Sequence, residues 1–300
     1  MQEQFIQIGD RRLNTVRSTQ DAPPLVMLHG VTRCWQTFLP MWSSLSQRWQ
    51  LSAIDFRGHG SSDKVNGEYG VCDYAADVIA YLDSQFDRPV VLYGHSLGAM
   101  VAADVAGKAS DRISAVILED PPLHTMGVRI EQTALLSFFQ TLLRLAGDSR
   151  DASTIARELG DAIIHDPVRG TQVRLGELRD AASLRFTASC LKRLDPSVLE
   201  PVVHGKWLEG FSIEAVFRRV QCPSLLIQAD PTAGGMLTNE DADSLEALLV
   251  DPVRVKFSGC GHLVHWTKTT ELLNCVHGFL ESIRVGQTSD RQPLREKRLS

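Results

Sequence analysis

Six short apolar runs set the tightest limit on what this chain can fold into. They lie at residues 25–28, 51–54, 90–93, 113–118, 225–228 and 253–257, each four to six residues long and without polar alternation. Strands buried on both faces of a parallel sheet have this appearance. The stretches between them carry helical spacing. Residues 73–86 bring Val78, Ile79, Leu82 and Phe86 together, and 271–283 do the same for Leu272, Leu273, Val276, Phe279 and Leu280. Such alternation implies right-handed crossovers and a doubly wound, mostly parallel α/β sheet. Residues 3–8 and 12–17 alternate instead around Gly9-Asp10, which predicts an N-terminal antiparallel hairpin.

Between Pro121 and about Val220 the alternation lapses. That stretch shows helical patterns near 128–146, 151–164, 176–193 and 207–219, and no strand pattern. The expected organisation is therefore an α/β core at 1–120 and 221–284 with a helical cap inserted at 121–220. The polar tail, 285–300, has the composition of a disordered segment.

Charge and cysteine usage narrow the function. With 31 Lys+Arg, 36 Asp+Glu and a net charge of −5, the chain has no basic field to hold a phosphate backbone, so nucleic acid is not an expected partner. The cap, with 13 basic and 12 acidic residues, is not built to capture a highly charged macromolecule. No apolar run approaches the ~18 residues of a membrane span, and the N-terminal stretch lacks the apolar segment of a signal peptide. The six cysteines are scattered without a C-x-x-C pair, which argues against a disulfide framework or a zinc site. A cytoplasmic protein with a small-molecule partner is expected, and no feature specifies an oligomer.

Gly94-His95-Ser96-Leu97-Gly98 follows the 90–93 run directly and opens an alanine-rich helix. A strand that turns into a helix within one residue strains the serine backbone, and the flanking glycines leave room where any Cβ would collide. Ser96 would stand at the carboxyl edge of the sheet as a nucleophile. A serine hydroxyl needs a base at neutral pH. Of nine histidines, His262 fits best, lying in Ser258-Gly259-Cys260-Gly261-His262 between the last strand and the last helix. His265, three residues on, could serve only with the loop shifted. Two carboxylates are placed to orient the base, because Asp120 and Asp230 each end a predicted strand. An oxyanion could be held by the N–H groups of Leu97, after the nucleophile, and Val31, in His29-Gly30-Val31 after the 25–28 run.

These motifs, with the run Asp55-Phe56-Arg57-Gly58-His59-Gly60-Ser61-Ser62, give the chain a resemblance to the α/β-hydrolase superfamily that spans nearly everything outside the cap and tail. The resemblance implies an α/β-hydrolase fold and a serine hydrolase that cleaves a small, largely apolar carboxylic ester, thioester, lactone or amide through an acyl-serine. Hydrolysis of a C–C bond in a diketone or ring-cleavage product, or a non-catalytic ligand receptor, are the other uses such a scaffold allows. The superfamily most often carries its acid a few residues beyond Asp230, and some members carry it about two dozen residues after the nucleophile. Asp120 lies 24 residues after Ser96 and is the preferred acid, with Asp230 the alternative. Arg57 and Asp63 resemble loop-fixing groups. No cofactor or metal is implied. Trp35, Phe38 and His124 are placed to reach substrate, and Phe138, Phe139, Leu142 and Phe186 are apolar cap residues available to line a pocket or to form the cap's own core.

Overall fold

The computed structural model describes residues 1–133, 135–166 and 168–289, the last five of them by backbone alone. Ten strands are present among them: β1 (Gln2–Ile8), β2 (Arg11–Arg17), β3 (Pro24–Leu28), β4 (Gln50–Ile54), β5 (Val90–His95), β6 (Ile113–Glu119), β7 (Ile163–Asp166), β8 (Thr171–Arg174), β9 (Ser224–Ala229) and β10 (Pro252–Phe257). Eight form one sheet in the order β1-β2-β4-β3-β5-β6-β9-β10. β1 and β2 pair antiparallel, β2 joins β4 antiparallel, and the remaining pairings are parallel. This is the mostly parallel, doubly wound sheet that the strand and helix pattern predicts, with the antiparallel N-terminal hairpin at one edge, and it is the arrangement that the α/β-hydrolase resemblance implies.

The middle of the sheet is buried on both faces, which is why its central strands read as largely apolar runs, whereas the edge strands β1 and β10 are partly exposed and carry polar residues. β3, β5 and β9 are buried along their whole lengths. On one face pack Tyr74, Val78 and Leu82 from helix Val71–Gln85, with Met100, Val101 and Val105 from helix Leu97–Lys108. The other face is covered by Phe38, Met41, Trp42 and Leu45 and by Leu272, Val276 and Leu280 of the last helix. From β3 the chain crosses to β4 on one side and later to β5 on the other. The crevice at the carboxyl ends of β3 and β5 is thus the point where the winding reverses and a site can open.

The segment between β6 and β9 departs from the all-helical expectation. The first expected helix is confined to Leu135–Leu145, preceded by a 3-10 turn at Ile130–Gln132. The second stops at Asp161, and β7 and β8 then form a two-stranded antiparallel hairpin. Helix Ala181–Arg193 follows, and the stretch near 207–219 is helical only at Ile213–Phe217. The last helix runs from Thr269 to Ser289, and residues 290–300 of the expected disordered tail lie outside the described residues. Among the described residues no helix is long and apolar enough to cross a membrane.

Candidate active site

Ser96 sits at the end of β5 with φ 56° and ψ −117°, a left-handed conformation that is rare for a residue with a side chain. Its neighbours make that turn possible. A Cβ on Gly94 would lie 2.2 Å from the carbonyl oxygen of Gly98, and a Cβ on Gly98 would lie 2.0 Å from that of Leu28. The Ser96 N–H donates to the Glu119 carbonyl at 2.9 Å, fixing the turn to the end of β6. Helix Leu97–Lys108 begins at the next residue, so the Leu97 N–H has no partner within the helix.

Gly30 presses against this turn, since a Cβ there would lie 2.8 Å from His95 Nδ1 and 3.1 Å from Ser96 Cβ. The chain reverses at Gly30–Arg33, where the Arg33 N–H donates to the Gly30 carbonyl at 3.1 Å and Thr32 adopts φ 68°. Val31 lies inside this turn, and its N–H has no hydrogen-bond partner among the described residues. Beneath the turn, His29 Nδ1 donates to the Gly30 carbonyl at 2.8 Å, while its Nε2 accepts from the Phe56 N–H at 3.1 Å. Burial pushes His29 down to about 4 and, together with the charge of His29, His59 to about 3.

Those two histidines make stability pH-dependent. Their native pKa values lie below the ordinary value of about 6.5, so from pH 6.5 toward 4 the unfolded chain binds protons that the native chain refuses. The stabilisation is complete above pH 6.5 and is lost as the pH falls. Each histidine is expected to cost up to about 1.4 kcal/mol per pH unit in that window. Urea midpoints should drop between pH 7 and pH 5, and a flat profile would contradict the assignment.

The two candidate acids part company in the structure. Asp120, fully buried and itself at φ 45°, accepts from His262 Nδ1 at 2.6 Å. Its oxygens also accept from the N–H groups of Ala229 at 3.1 Å, Met236 at 2.8 Å and Leu237 at 3.2 Å, so its negative charge is well met. Asp230 does not reach the imidazole. It accepts from the Thr232 N–H and hydroxyl at 2.9 and 2.7 Å and from the Gly259 N–H at 2.8 Å, contacts that hold its carboxyl below the usual range. It ties the loop carrying His262 to the end of β9.

His95 Nε2 donates to the His262 carbonyl at 3.0 Å, and the two rings lie 4.6 Å apart, which places the histidine loop against the residue preceding Ser96. Burial, with His262 and His265 beside it, drives the His95 pKa well below its ordinary value. His265 is wholly buried. Its Nδ1 donates to Glu119 at 2.8 Å, its backbone N–H donates to the same carboxylate at 3.0 Å, and its Nε2 meets Thr37 Oγ1 at 2.9 Å. The Tyr93 hydroxyl completes the set around Glu119. Ligand atoms of His95, Glu119 and His265 lie within 4.8 Å of one another. Both ring nitrogens of His265 and both Glu119 oxygens are nevertheless committed to hydrogen bonds, as befits a network that anchors the turn after His262 rather than a metal site. Sequence reasoning passed over Glu119, although an acid inside the apolar strand 113–118 and its continuation was the available signal.

The expected substrate contacts of Trp35 and Phe38 need correction. Trp35 lies in the core beneath the sheet, its ring edge-on to Trp42 and its Nε1 donating to Glu3 at 3.3 Å. Phe38 is fully buried between Tyr93 and His265, 5.8 Å from each ring. Both side chains fill the second apolar core. His124 is exposed on the short helix Leu123–Met126. In the insertion, Phe139 and Leu142 are core residues, whereas Phe186 is half-buried and faces Trp266 at 5.2 Å.

Comparison with known proteins gives the family and the fold. The model of the alpha/beta hydrolase family matches residues 25–273. A 2-(acetamidomethylene)succinate hydrolase from Mesorhizobium japonicum is 36% identical over 115 residues, a match covering 38% of this chain and 41% of that relative. The crystal structure of an E-2-(acetamidomethylene)succinate hydrolase superposes with a TM-score of 0.70 at 20% identity, covering 93% of this chain and 98% of the other. An enol-lactonase from Burkholderia xenovorans superposes with a TM-score of 0.68 at 17% identity over 93% and 100% of the two chains.

Proposed function

Because the chain belongs to the alpha/beta hydrolase family, we propose that it is a serine hydrolase of small carboxylic acid derivatives, with Ser96 as nucleophile, His262 as base and Asp120 as the acid that orients it. The observation that carries this reading is the 2.6 Å bond from His262 Nδ1 to buried Asp120, on a loop packed against the strained Ser96 turn. With Nδ1 committed to the carboxylate, Nε2 is left to receive a proton.

In this reading Ser96 Oγ attacks the carbonyl carbon and its proton passes to His262 Nε2. The oxyanion is held by the N–H groups of Val31 and Leu97, and Asp120 stabilises the imidazolium. Collapse breaks the bond to the leaving group, which takes the proton from His262 and departs as an alcohol, thiol or amine. Water, deprotonated by the same imidazole, then attacks the acyl-serine and releases the acid. The relatives, one a hydrolase of 2-(acetamidomethylene)succinate and one an enol-lactonase, support small-molecule substrates. The segment 121–220 serves as the roof of the site, supported by the Phe186–Trp266 contact beside the His262 loop. A cytoplasmic location is supported by six cysteines that are all free thiols, including Cys34 and Cys190, whose sulfurs lie 3.3 Å apart.

The test is covalent labelling. A fluorophosphonate probe should add one adduct per chain, located by peptide mass at Ser96. No adduct, or an adduct elsewhere, would overturn the assignment.

A further inference from the structure

Arg33 stands where three elements meet: the turn that carries Val31, the segment after His262, and the insertion helix Ala181–Arg193. Its Nη1 donates to Thr187 Oγ1 at 2.9 Å, and its guanidinium carbon lies 5.8 Å from the Phe186 ring and 6.0 Å from the Trp266 ring. An arginine carries five N–H donors. Only this one has a partner among the described residues, and no carboxylate lies within ion-pair distance. The sequence around it explains why: residues 29–54, 181–193 and 259–270 contain no Asp or Glu at all. Arg57 shows how this protein treats a structural guanidinium, clamping it to Asp77 at 2.6 and 2.7 Å.

Arg33 is half-buried, yet enclosed enough that desolvation lowers its pKa; the nearby Cys190 and Cys34 thiols oppose that shift and the cation Arg179 adds to it. Arg179 precedes the same insertion helix and has no side-chain hydrogen bond or ion pair among the described residues. Arg179 is exposed, and the desolvation that lowers its pKa is opposed by the neighbouring Asp180 carboxylate. An enclosed cation without a counter-ion is costly unless a ligand supplies the charge. The bidentate fork of a guanidinium fits a carboxylate.

We propose that Arg33 binds a carboxylate carried by the substrate, so that the enzyme acts on acyl compounds with an anionic group within a few bonds of the reacting carbonyl. What is hydrolysed rests on the serine-hydrolase reading, whereas the anion site itself does not. The proposal narrows the largely apolar substrate to one with an apolar body and a single charged end, the body lying against Phe186 and Trp266. The competing role is a tether, in which Arg33 only holds the insertion to the core through Thr187.

A matched pair of esters separates these. 4-Nitrophenyl hemisuccinate and 4-nitrophenyl butyrate share a four-carbon acyl chain and differ in a terminal carboxylate against a methyl group. The wild-type protein is expected to favour the hemisuccinate in kcat/KM. Arg33→Gln should lower the ratio of the two kcat/KM values by about 100-fold, mainly through KM, as loss of an enclosed charge-assisted contact does. Arg33→Lys should keep an intermediate ratio, and Arg179→Gln should lower it to a lesser degree. Calorimetric titration with succinate, which needs no turnover, should show binding to the wild-type protein and its loss in Arg33→Gln.

A wild-type preference for the butyrate, an unchanged ratio in Arg33→Gln, or a parallel fall for both esters with a lowered thermal midpoint would overturn the proposal. So would the absence of succinate binding to the wild-type protein. Should Arg33→Gln fail to fold, the Arg33→Lys and Arg179→Gln ratios and the wild-type preference decide. If Ser96 takes no fluorophosphonate but succinate binding still depends on Arg33, the hydrolase reading falls and the anion site stands. Labelling at Ser96 with an insensitive ester ratio has the opposite meaning.

Discussion

Ser96→Ala is expected to lower kcat on the order of 10⁶-fold toward any ester the protein hydrolyses, with the fold intact. In the proposed mechanism this hydroxyl forms the acyl intermediate, and no other group is assigned that role. Alanine removes a single oxygen from a backbone already held at φ 56° by the Gly94 and Gly98 clearances and the bond to the Glu119 carbonyl. The turn therefore survives the substitution. Retention of more than a thousandth of wild-type turnover, measured on protein with an unchanged thermal midpoint, would place the chemistry elsewhere.

The second large effect belongs to Asp120. Asp120→Asn should lower kcat by about 10⁴-fold, because an amide in this position no longer holds the imidazole in the tautomer that leaves Nε2 free, nor stabilises the imidazolium. The substitution should also cost stability. The Asp120 carboxylate accepts from three backbone N–H groups, those of Ala229, Met236 and Leu237, and an amide offers only one oxygen to them. Asp230→Asn keeps an oxygen for Gly259 and Thr232, so the His262 loop loosens rather than losing its acid. Its expected loss is tenfold or less. Equal losses for the two variants, or a loss confined to Asp230→Asn, would reverse the roles.

The central strands were legible because burial on both faces disfavours polar alternation, and β3, β4, β5, β6 and β9 fall within two residues of their apolar runs; β10, an edge strand with Arg254 and Lys256 between its apolar residues, was legible from its length and place instead. The nucleophile turn was legible for a different reason: its glycines answer a steric demand made within five residues. Features that depend on distant partners were not. Ile163 continues the helical spacing of Ile155 and Leu159, so the pattern for helix Ala152–Asp161 ran on into β7, where pairing with Thr171–Arg174 wins. β7 and β8 are mostly exposed and lack the alternation that marks a half-buried strand. Trp35 and Phe38 follow the oxyanion loop closely in sequence, but side-chain direction in a loop is set by which cavity needs filling, and here that was the core under the sheet. Arg33 carried no motif. Its meaning came from the absence of acids on three segments that only folding brings together.

Val31, Ser96, Asp120 and His262 each stand at the carboxyl end of a different strand, and their spacing along the chain covers most of its length. No fragment that lacks the β10 end can possess the proposed reaction centre. During refolding, turnover should return only with the last long-range strand pairing, behind signals of helix formation. Regain of activity is therefore a clock for completion of the sheet, set by the slowest and most distant closure in the molecule.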